Sequence, residues 1–301
     1  MSLLFAGIDG GQSSTVAAIA DETGRILARG NAGPADEIGV NPDSSRLRDA
    51  LAGALADACS RAGLPPHSEF AAIVAGISGY EGRIYGVTPK LATQRIALMH
   101  DAPIAHAGAL GGSPGVIAIA GTGSVVYARD ERGEERTLGG WGPLFGDEGS
   151  AFGVVREGIA TLMRAQDDGT NEPEAAAACE FFSVQTLREL ARAAYAGEVS
   201  RDRLASFAPV ALKFALFAQI ALRGADRLAR LIHAAAAPMR SPRIALLGGF
   251  FADEPFRARV AARAGELLPG AQIVEPRYDA AAGALLLAYR EIGRAAPELS
   301  E

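Results

Sequence analysis

The sequence predicts an α/β protein made of two similar halves with a cleft between them. Three observations lead there. A pattern of strand, glycine-and-hydroxyl turn, strand, polar turn and strand occurs at the start of the chain and again from Gly115. Each occurrence is followed by segments whose apolar residues recur at helical spacing. The length of 301 residues also suffices for two domains of ordinary size, each with its own core.

The first half opens with strands at 3–8, 15–20 and 25–29, joined by the turns DGGQSS (9–14) and DETG (21–24) into an antiparallel meander. Leu47, Leu51, Leu55 and Ala58 give a helix over 43–62, closed by Gly63 and the Pro65-Pro66 pair. A buried-strand run covers 70–77 and ends in GISGYEG. A further strand at 96–99 leads to His100-Asp101 and an Ala-rich helical stretch.

The pattern then restarts. An apolar strand at 115–120 ends in GTGS (121–124), followed by a strand at 125–128, the turn DERGEE (130–135) and a third strand near Thr137. The repeat is one of pattern, not of residue identity. Helices are expected over 149–164, 184–195 and 209–235. A strand at 243–247 ends in GGFFAD, with a helix after it, and a short strand at 273–274 precedes a closing helix over 280–290. The expected division is 1–113 with the closing helix 280–295, and 114–279.

Composition narrows the class. Hydrophobic residues make up 49% and charged residues 21%, a soluble globular profile. No apolar stretch approaches the ~20 residues that a membrane span requires. The start, MSLLFAGID, lacks a basic n-region, so no export signal is read. Cys59 and Cys179 form neither a disulfide framework nor a metal-ligand spacing. A cytoplasmic protein with no membrane partner is expected. The net charge is -6, from 35 acidic and 29 basic residues, and only Lys90 and Lys213 among the basic ones are lysines. No G-x-x-x-x-G-K-[ST] stretch exists, which excludes a P-loop. The basic residues are scattered and aromatics are 6%, which argues against a nucleic-acid partner.

DGGQSS and GTGS share one physical logic. Glycines permit unusual dihedrals and close backbone approach, while N–H groups and hydroxyls donate to phosphate oxygens. Either turn alone is an ordinary hairpin. The same device at the end of the first strand of both halves suits two hairpins that hold a polyphosphate. LLGGFF (246–251) adds a close-approach site for a flat, uncharged group such as adenosine.

Together Asp9-Gly10-Gly11-Gln12-Ser13-Ser14, Gly121-Thr122-Gly123-Ser124 and Leu247-Gly248-Gly249 resemble the two phosphate motifs and the adenosine motif of the actin–hexokinase–heat-shock-chaperone superfamily. GGWGPLFGDEGSAFG (139–153) resembles the N-acetylglucosamine kinase branch, which sits with glucosamine kinases and with the activator ATPases of 2-hydroxyacyl-CoA dehydratases and benzoyl-CoA reductases (the BadF/BadG/BcrA/BcrD type). The similarity runs from Gly7 to about Tyr289.

The resemblance implies two ribonuclease H-like domains closing over ATP and a sugar, and a homodimer. It assigns phosphate to Gly10, Gly11, Gln12, Ser13 and Ser14 and to Gly121, Thr122, Gly123 and Ser124, and adenosine to Gly248 and Gly249. It assigns the sugar to Asn41, Gly140, Trp141, Gly142 and Asp147, with Thr122 and Asp101 beside it. Asp101 matches the family's catalytic aspartate. The expected activity is phosphorylation of an amino sugar, N-acetylglucosamine ahead of glucosamine, to its 6-phosphate. An activator ATPase and a sugar sensor without catalysis are the other two readings.

The chemistry asks for some of these residues on its own terms. Asp9 at a turn that holds ATP phosphates is awkward unless Mg²⁺ sits between them, and Mg²⁺ takes only one or two carboxylates. Phosphoryl transfer needs positioning, charge stabilisation and a base for the hydroxyl proton. Asp101 is the candidate base, with an N-cap for the following helix as its bland alternative. Trp141, the only tryptophan, is either a sugar platform or core. Asp147 and Glu148 precede a helix and would also suit its dipole.

Two positions depart from the family pattern: Val125 where an asparagine is usual, and Gln12 where a third glycine is usual. The first bears on which sugar binds, the second on how phosphate is held. His67, His106 and His233 read as surface or core residues, and strand alternation sends His100 to the face opposite Asp101.

Overall fold

The computed structural model describes residues 3–37, 40–65, 68–170 and 172–301, so Pro66 and His67 lie outside the described residues. The chain divides into two compact units, Met1–Pro114 with Glu275–Glu301, and Gly115–Val274.

The first unit is a five-stranded mixed sheet with helices. Strands β1 (Leu4–Gly10), β2 (Thr15–Asp21) and β3 (Ile26–Ala32) form the antiparallel meander read from the sequence. β4 (Ala72–Ile77) and β5 (Ile96–His100) then add in parallel, giving the order β3-β2-β1-β4-β5. Every residue of β4 is buried, as a strand covered on both faces requires.

Helix α1 (Arg46–Arg61) buries Leu47, Leu51, Leu55 and Ala58, the predicted apolar stripe. Helix α2 (Asp101–Leu110) follows β5 directly. The closing helix α11 (Ala280–Glu291) packs on α2 and β1. Its Gly283 lies so close to α2 that an added Cβ would sit 2.0 Å from the Ile104 carbonyl oxygen. A β-carbon cannot enter there, so this helix pair meets backbone to backbone.

The second unit repeats the order. β6 (Gly115–Ala120), β7 (Ser124–Arg129) and β8 (Glu135–Gly139) are the antiparallel meander, and β9 (Arg243–Leu247) and β10 (Gln272–Val274) add in parallel. Read from its far edge the sheet runs β8-β7-β6-β9-β10. The repeat of pattern is thus a repeat of topology, and the two sheets have the α/β architecture that the resemblance implies.

The helices of this unit are α3 (Gly142–Phe145), α4 (Ala151–Asp167), α5 (Pro173–Phe182), α6 (Leu187–Tyr195), α7 (Arg201–Ala205), α8 (Ala208–Ala211), α9 (Ala215–Ala236) and α10 (Glu254–Leu267). The single helix expected over 209–235 is broken. Phe214 has extended backbone (φ -103°, ψ 140°), so α8 stops and α9 starts afresh. No single described helix is long and apolar enough to cross a membrane. Phe217, Ile220, Leu228 and Ile232 place the inner face of α9 in the core of this unit.

Candidate active site

In the first unit, β1 carries Asp9 to the edge of the turn 11–14. That turn is closed by the Gly11 N–H donating to the Ser14 carbonyl at 2.9 Å, and Gln12, Ser13 and Ser14 are exposed. Neither Gly10 nor Gly11 has a positive φ, and neither does Gln12. The expectation that these glycines supply unusual dihedrals is corrected here. Gly10 serves close packing, since an added Cβ would sit 2.8 Å from Ile77 Cδ1 and 2.9 Å from Ala35 Cβ. Gln12 in place of a glycine therefore strains nothing.

Asp9 pairs in register with Gly76 of β4, and an added Cβ on Gly76 would sit 3.2 Å from Asp101 Cα. The bare glycine lets the start of α2 come up beside the end of β1. Burial, then the nearby carboxylates of Asp101 and Asp279, push the Asp9 carboxyl up to about 6. Asp279 is itself held by the Arg29 guanidinium at 2.6 Å and caps α11 by accepting from the Ala282 N–H at 2.8 Å.

The structure settles the cap question at α2. The N-cap is His100, and Asp101 is the first residue inside the helix. The expectation that His100 faces away from Asp101 is corrected, because its Nδ1 lies 2.7 Å from Asp101 Oδ1. Strand alternation ends at His100, where ψ of 156° gives way to helical turning, so the next side chain swings back alongside. Asn41 is exposed in a turn ahead of α1, where its Oδ1 accepts from the Asp43 N–H at 3.0 Å. His106 is buried on α2, and in the other unit His233 is exposed on α9.

In the second unit, the turn 121–124 is gripped from two sides. Asp147 Oδ1 accepts from the Ser124 N–H at 3.1 Å, and Asp147 Oδ2 pairs with Arg201 Nη2 at 2.7 Å. Ser124 Oγ donates to the Glu148 carbonyl at 2.8 Å. An added Cβ on Gly123 would sit 2.4 Å from Arg201 Nη2 and 2.8 Å from Asp147 Oδ1, so a side chain there would push this ion pair aside. As at the first turn, neither Gly121 nor Gly123 has a positive φ.

Asp147 is 3% exposed and has φ +67°, a left-handed conformation that aspartate tolerates better than most residues. Its carboxylate is committed to shaping this turn. Arg201, on α7, is the residue that sequence reasoning missed. Asp147→Asn is expected to cost about 1–2 kcal/mol of stability, discounted for the partial exposure of Arg201. Asn still tolerates the backbone but leaves the guanidinium without its counter-charge. A melting temperature equal to that of the wild type would contradict this.

The GGWG segment joins the same hairpin. Val125 pairs with Gly139, and the Gly140 N–H donates to the Ser124 carbonyl at 3.1 Å. An added Cβ on Gly140 (φ +69°) would sit 3.0 Å from Val125 Cγ2, so Val125 lies against the backbone of this segment. Trp141 is 74% exposed, which corrects the reading of a core tryptophan, and the Gly142 that follows it opens α3.

The turn 121–124 also meets the predicted adenosine motif. A cavity of about 700 Å³ is lined by Gly121 and Thr122 on one side and by Gly249 and Phe250 on another, with Asp202 and Lys213 at its helical wall. That volume lies within the range of small-ligand sites. Gly248, with φ +103°, turns the chain out of β9 where an added Cβ would sit 2.4 Å from the Ala120 carbonyl oxygen. That close approach holds β6 and the Gly249–Ala252 3-10 turn together beside the cavity. Two motifs more than a hundred residues apart therefore open on one space.

The chain is similar to known proteins over most of its length. The model of the BadF/BadG/BcrA/BcrD ATPase family matches residues 6–288. The chain is 31% identical over 117 residues to an N-acetylmuramic acid/N-acetylglucosamine kinase of Clostridium acetobutylicum, covering 38% of each chain. It is 26% identical over 176 residues to an N-acetyl-D-glucosamine kinase of Dictyostelium discoideum, covering 54% of this chain and 55% of that one. The matched stretches thus span less than two thirds of either curated relative. A candidate N-acetylglucosamine kinase structure from Chromobacterium violaceum superposes with a TM-score of 0.75 at 27% identity, covering 95% of this chain and 99% of that one. A ROK hexokinase from Thermus thermophilus shares the fold, with a TM-score of 0.53 at 19% identity, covering 96% of this chain and 99% of that one.

Proposed function

The chain belongs to the BadF/BadG/BcrA/BcrD ATPase family, and on that premise we propose that it transfers the γ-phosphoryl group of ATP to the 6-hydroxyl of an amino sugar, N-acetylglucosamine ahead of glucosamine. The observation that carries the reading is the cavity of about 700 Å³ on which the GTGS turn and the Gly249 turn both open. Adenosine lies against Gly248 and Gly249, and its phosphates run toward the N–H groups and hydroxyls of 121–124. Gln12, Ser13 and Ser14 offer a second set of exposed donors.

The residues present fit Mg²⁺. Burial first, and then the carboxylates of Asp101 and Asp279, raise Asp9, and a cation beside it offsets both. Among the described residues no cluster of three His, Cys, Asp or Glu side chains stands ready to hold a metal unaided. Mg²⁺ bound through one or two carboxylates, waters and substrate phosphates matches that arrangement. When bound it supplies charge neutralisation at the transferring phosphoryl group. Asp101 accepts the proton of the attacking hydroxyl. Trp141, exposed on the GGWG segment, offers its ring to a sugar face.

The names of the two curated relatives and of the Chromobacterium violaceum protein support an amino-sugar acceptor. Cys59 is 2% exposed in the core of the first unit, a poor location for the exposed cluster ligand that an activator ATPase would need. Coupled ADP release over N-acetylglucosamine, glucosamine and glucose tests the assignment. Both amino sugars are expected to exceed glucose in kcat/KM by at least about tenfold, the scale of one lost group contact. Equal values for all three would remove the amino-sugar assignment.

A further inference from the structure

One ring nitrogen of His100, Nδ1, has two claims on it. Nδ1 lies 2.7 Å from Asp101 Oδ1 and 3.3 Å from the Ala102 backbone N–H. It cannot serve both at once. Donating to the carboxylate uses a proton on Nδ1, whereas capping the helix uses its lone pair. The contact with the carboxylate is the shorter, and the charged groups that face the ring favour a proton there. These are Asp101 on the adjoining helix turn and Glu81 from the segment between β4 and β5, both negative. The hydrogen bond to Asp101 raises the imidazole above its ordinary value. The ring is 48% exposed, so Nε2 has access to solvent for proton exchange.

We propose that His100 is a positioning residue for the base, its Nδ1–H holding Asp101 Oδ1 so that Oδ2 is presented to the acceptor hydroxyl. This rests on the reading of Asp101 as the base. Asp101 opens a helix and carries two rotatable side-chain bonds, and one strong hydrogen bond to a charged oxygen fixes both. The carboxylate then takes the hydroxyl proton on one oxygen while the other keeps its partner. His100 touches no substrate and acts only through Asp101.

The test uses His100→Ala and His100→Asn, each alone and combined with Asp101→Asn, in the full-length protein with ATP and N-acetylglucosamine. His100→Ala is expected to lower kcat about tenfold, with the KM for sugar within about twofold. His100→Asn keeps both a helix cap and an amide N–H near the position of Nδ1, and is expected to recover kcat to within about threefold of the wild type. In the Asp101→Asn background, His100→Ala is expected to cost nothing further, since the residue it positions is already disabled. Should His100→Ala fail to fold, His100→Ser retains a cap and takes its place.

Three outcomes overturn the proposal: wild-type kcat in His100→Ala, no recovery in His100→Asn, or a full further loss when His100→Ala is added to Asp101→Asn. The last would mark a purely structural role. If Asp101→Asn alone keeps wild-type kcat, it is the base assignment that fails.

Discussion

Asp101→Asn is expected to lower kcat by about 10²–10⁴, the range that a general base contributes, while the KM for sugar changes by no more than a few fold. The substitution keeps the size and one hydrogen-bond acceptor of the side chain but removes the capacity to take up a proton. The fold gives this test its discrimination. His100, not Asp101, occupies the N-cap position of α2, and Asp101 sits at the first helical position. Loss of its charge there forfeits the favourable interaction with the helix dipole, about 0.3–1 kcal/mol, and weakens the bond from His100, while it relieves the repulsion of Asp9. Stability should therefore hold while turnover collapses. A folded Asp101→Asn protein with near-wild-type kcat would end the assignment of Asp101 as the base.

Asp9→Asn is expected to act in opposite directions on stability and on activity. The Asp9 carboxyl has an ordinary value of 3.8 and is pushed up to about 6, by burial first and then by Asp101 and Asp279. Between those two values the folded protein binds more protons than the unfolded chain. Stability therefore falls as pH rises through this window, and the full penalty is present above it. Asp9 keeps some contact with solvent, so the penalty is taken as about 2 kcal/mol. In the absence of nucleotide and Mg²⁺, Asp9→Asn should be more stable than the wild type by about that amount at pH 8, and no more stable below about pH 4.

Turnover with Mg²⁺ and ATP should fall by at least about 10², since the variant lacks the carboxylate proposed to hold the cation. Thermal melts across pH, with and without Mg²⁺ and ATP, measure the first effect, and coupled ADP release measures the second. An Asp9→Asn protein that is equally stable at all pH values, or fully active, would contradict the role given to this charge.

Much of the fold was legible because its signals are local. Alternation and turn residues marked both meanders, and the stripe of Leu47, Leu51, Leu55 and Ala58 marked α1. Helix α5 was missed because its run of alanines carries no amphipathic period, although Pro173 at its start was a usable signal. The start of α6 was also readable. Thr186 accepts from the Glu189 N–H and Glu189 accepts from the Gln185 N–H, a capping arrangement that the T-x-x-E spacing announces.

The candidate site was legible in the sequence where motifs mark it and illegible where pairing across the chain does. Arg201 is one arginine among many, and its bond to Asp147 spans 54 positions. Its helix has only five residues. His100 was misplaced because alternation was carried one residue past the point where strand becomes helix. Close approach to backbone accounts for Gly248, while positive φ occurs at Gly248 and at Gly139, Gly140 and Gly142 of the GGWG segment but at none of Gly10, Gly11, Gly121 and Gly123.

The central claim is that this member of the BadF/BadG/BcrA/BcrD ATPase family spends ATP on a sugar hydroxyl. ADP release measured with Mg²⁺ and ATP, with and without N-acetylglucosamine or glucosamine, tests it most directly when sugar 6-phosphate is quantified in the same samples. The account predicts slow turnover without sugar, a steep rise when an amino sugar is added, and one sugar phosphate formed for each ADP. ADP release that is equally fast without any sugar, or that rises without sugar phosphate appearing, would contradict it.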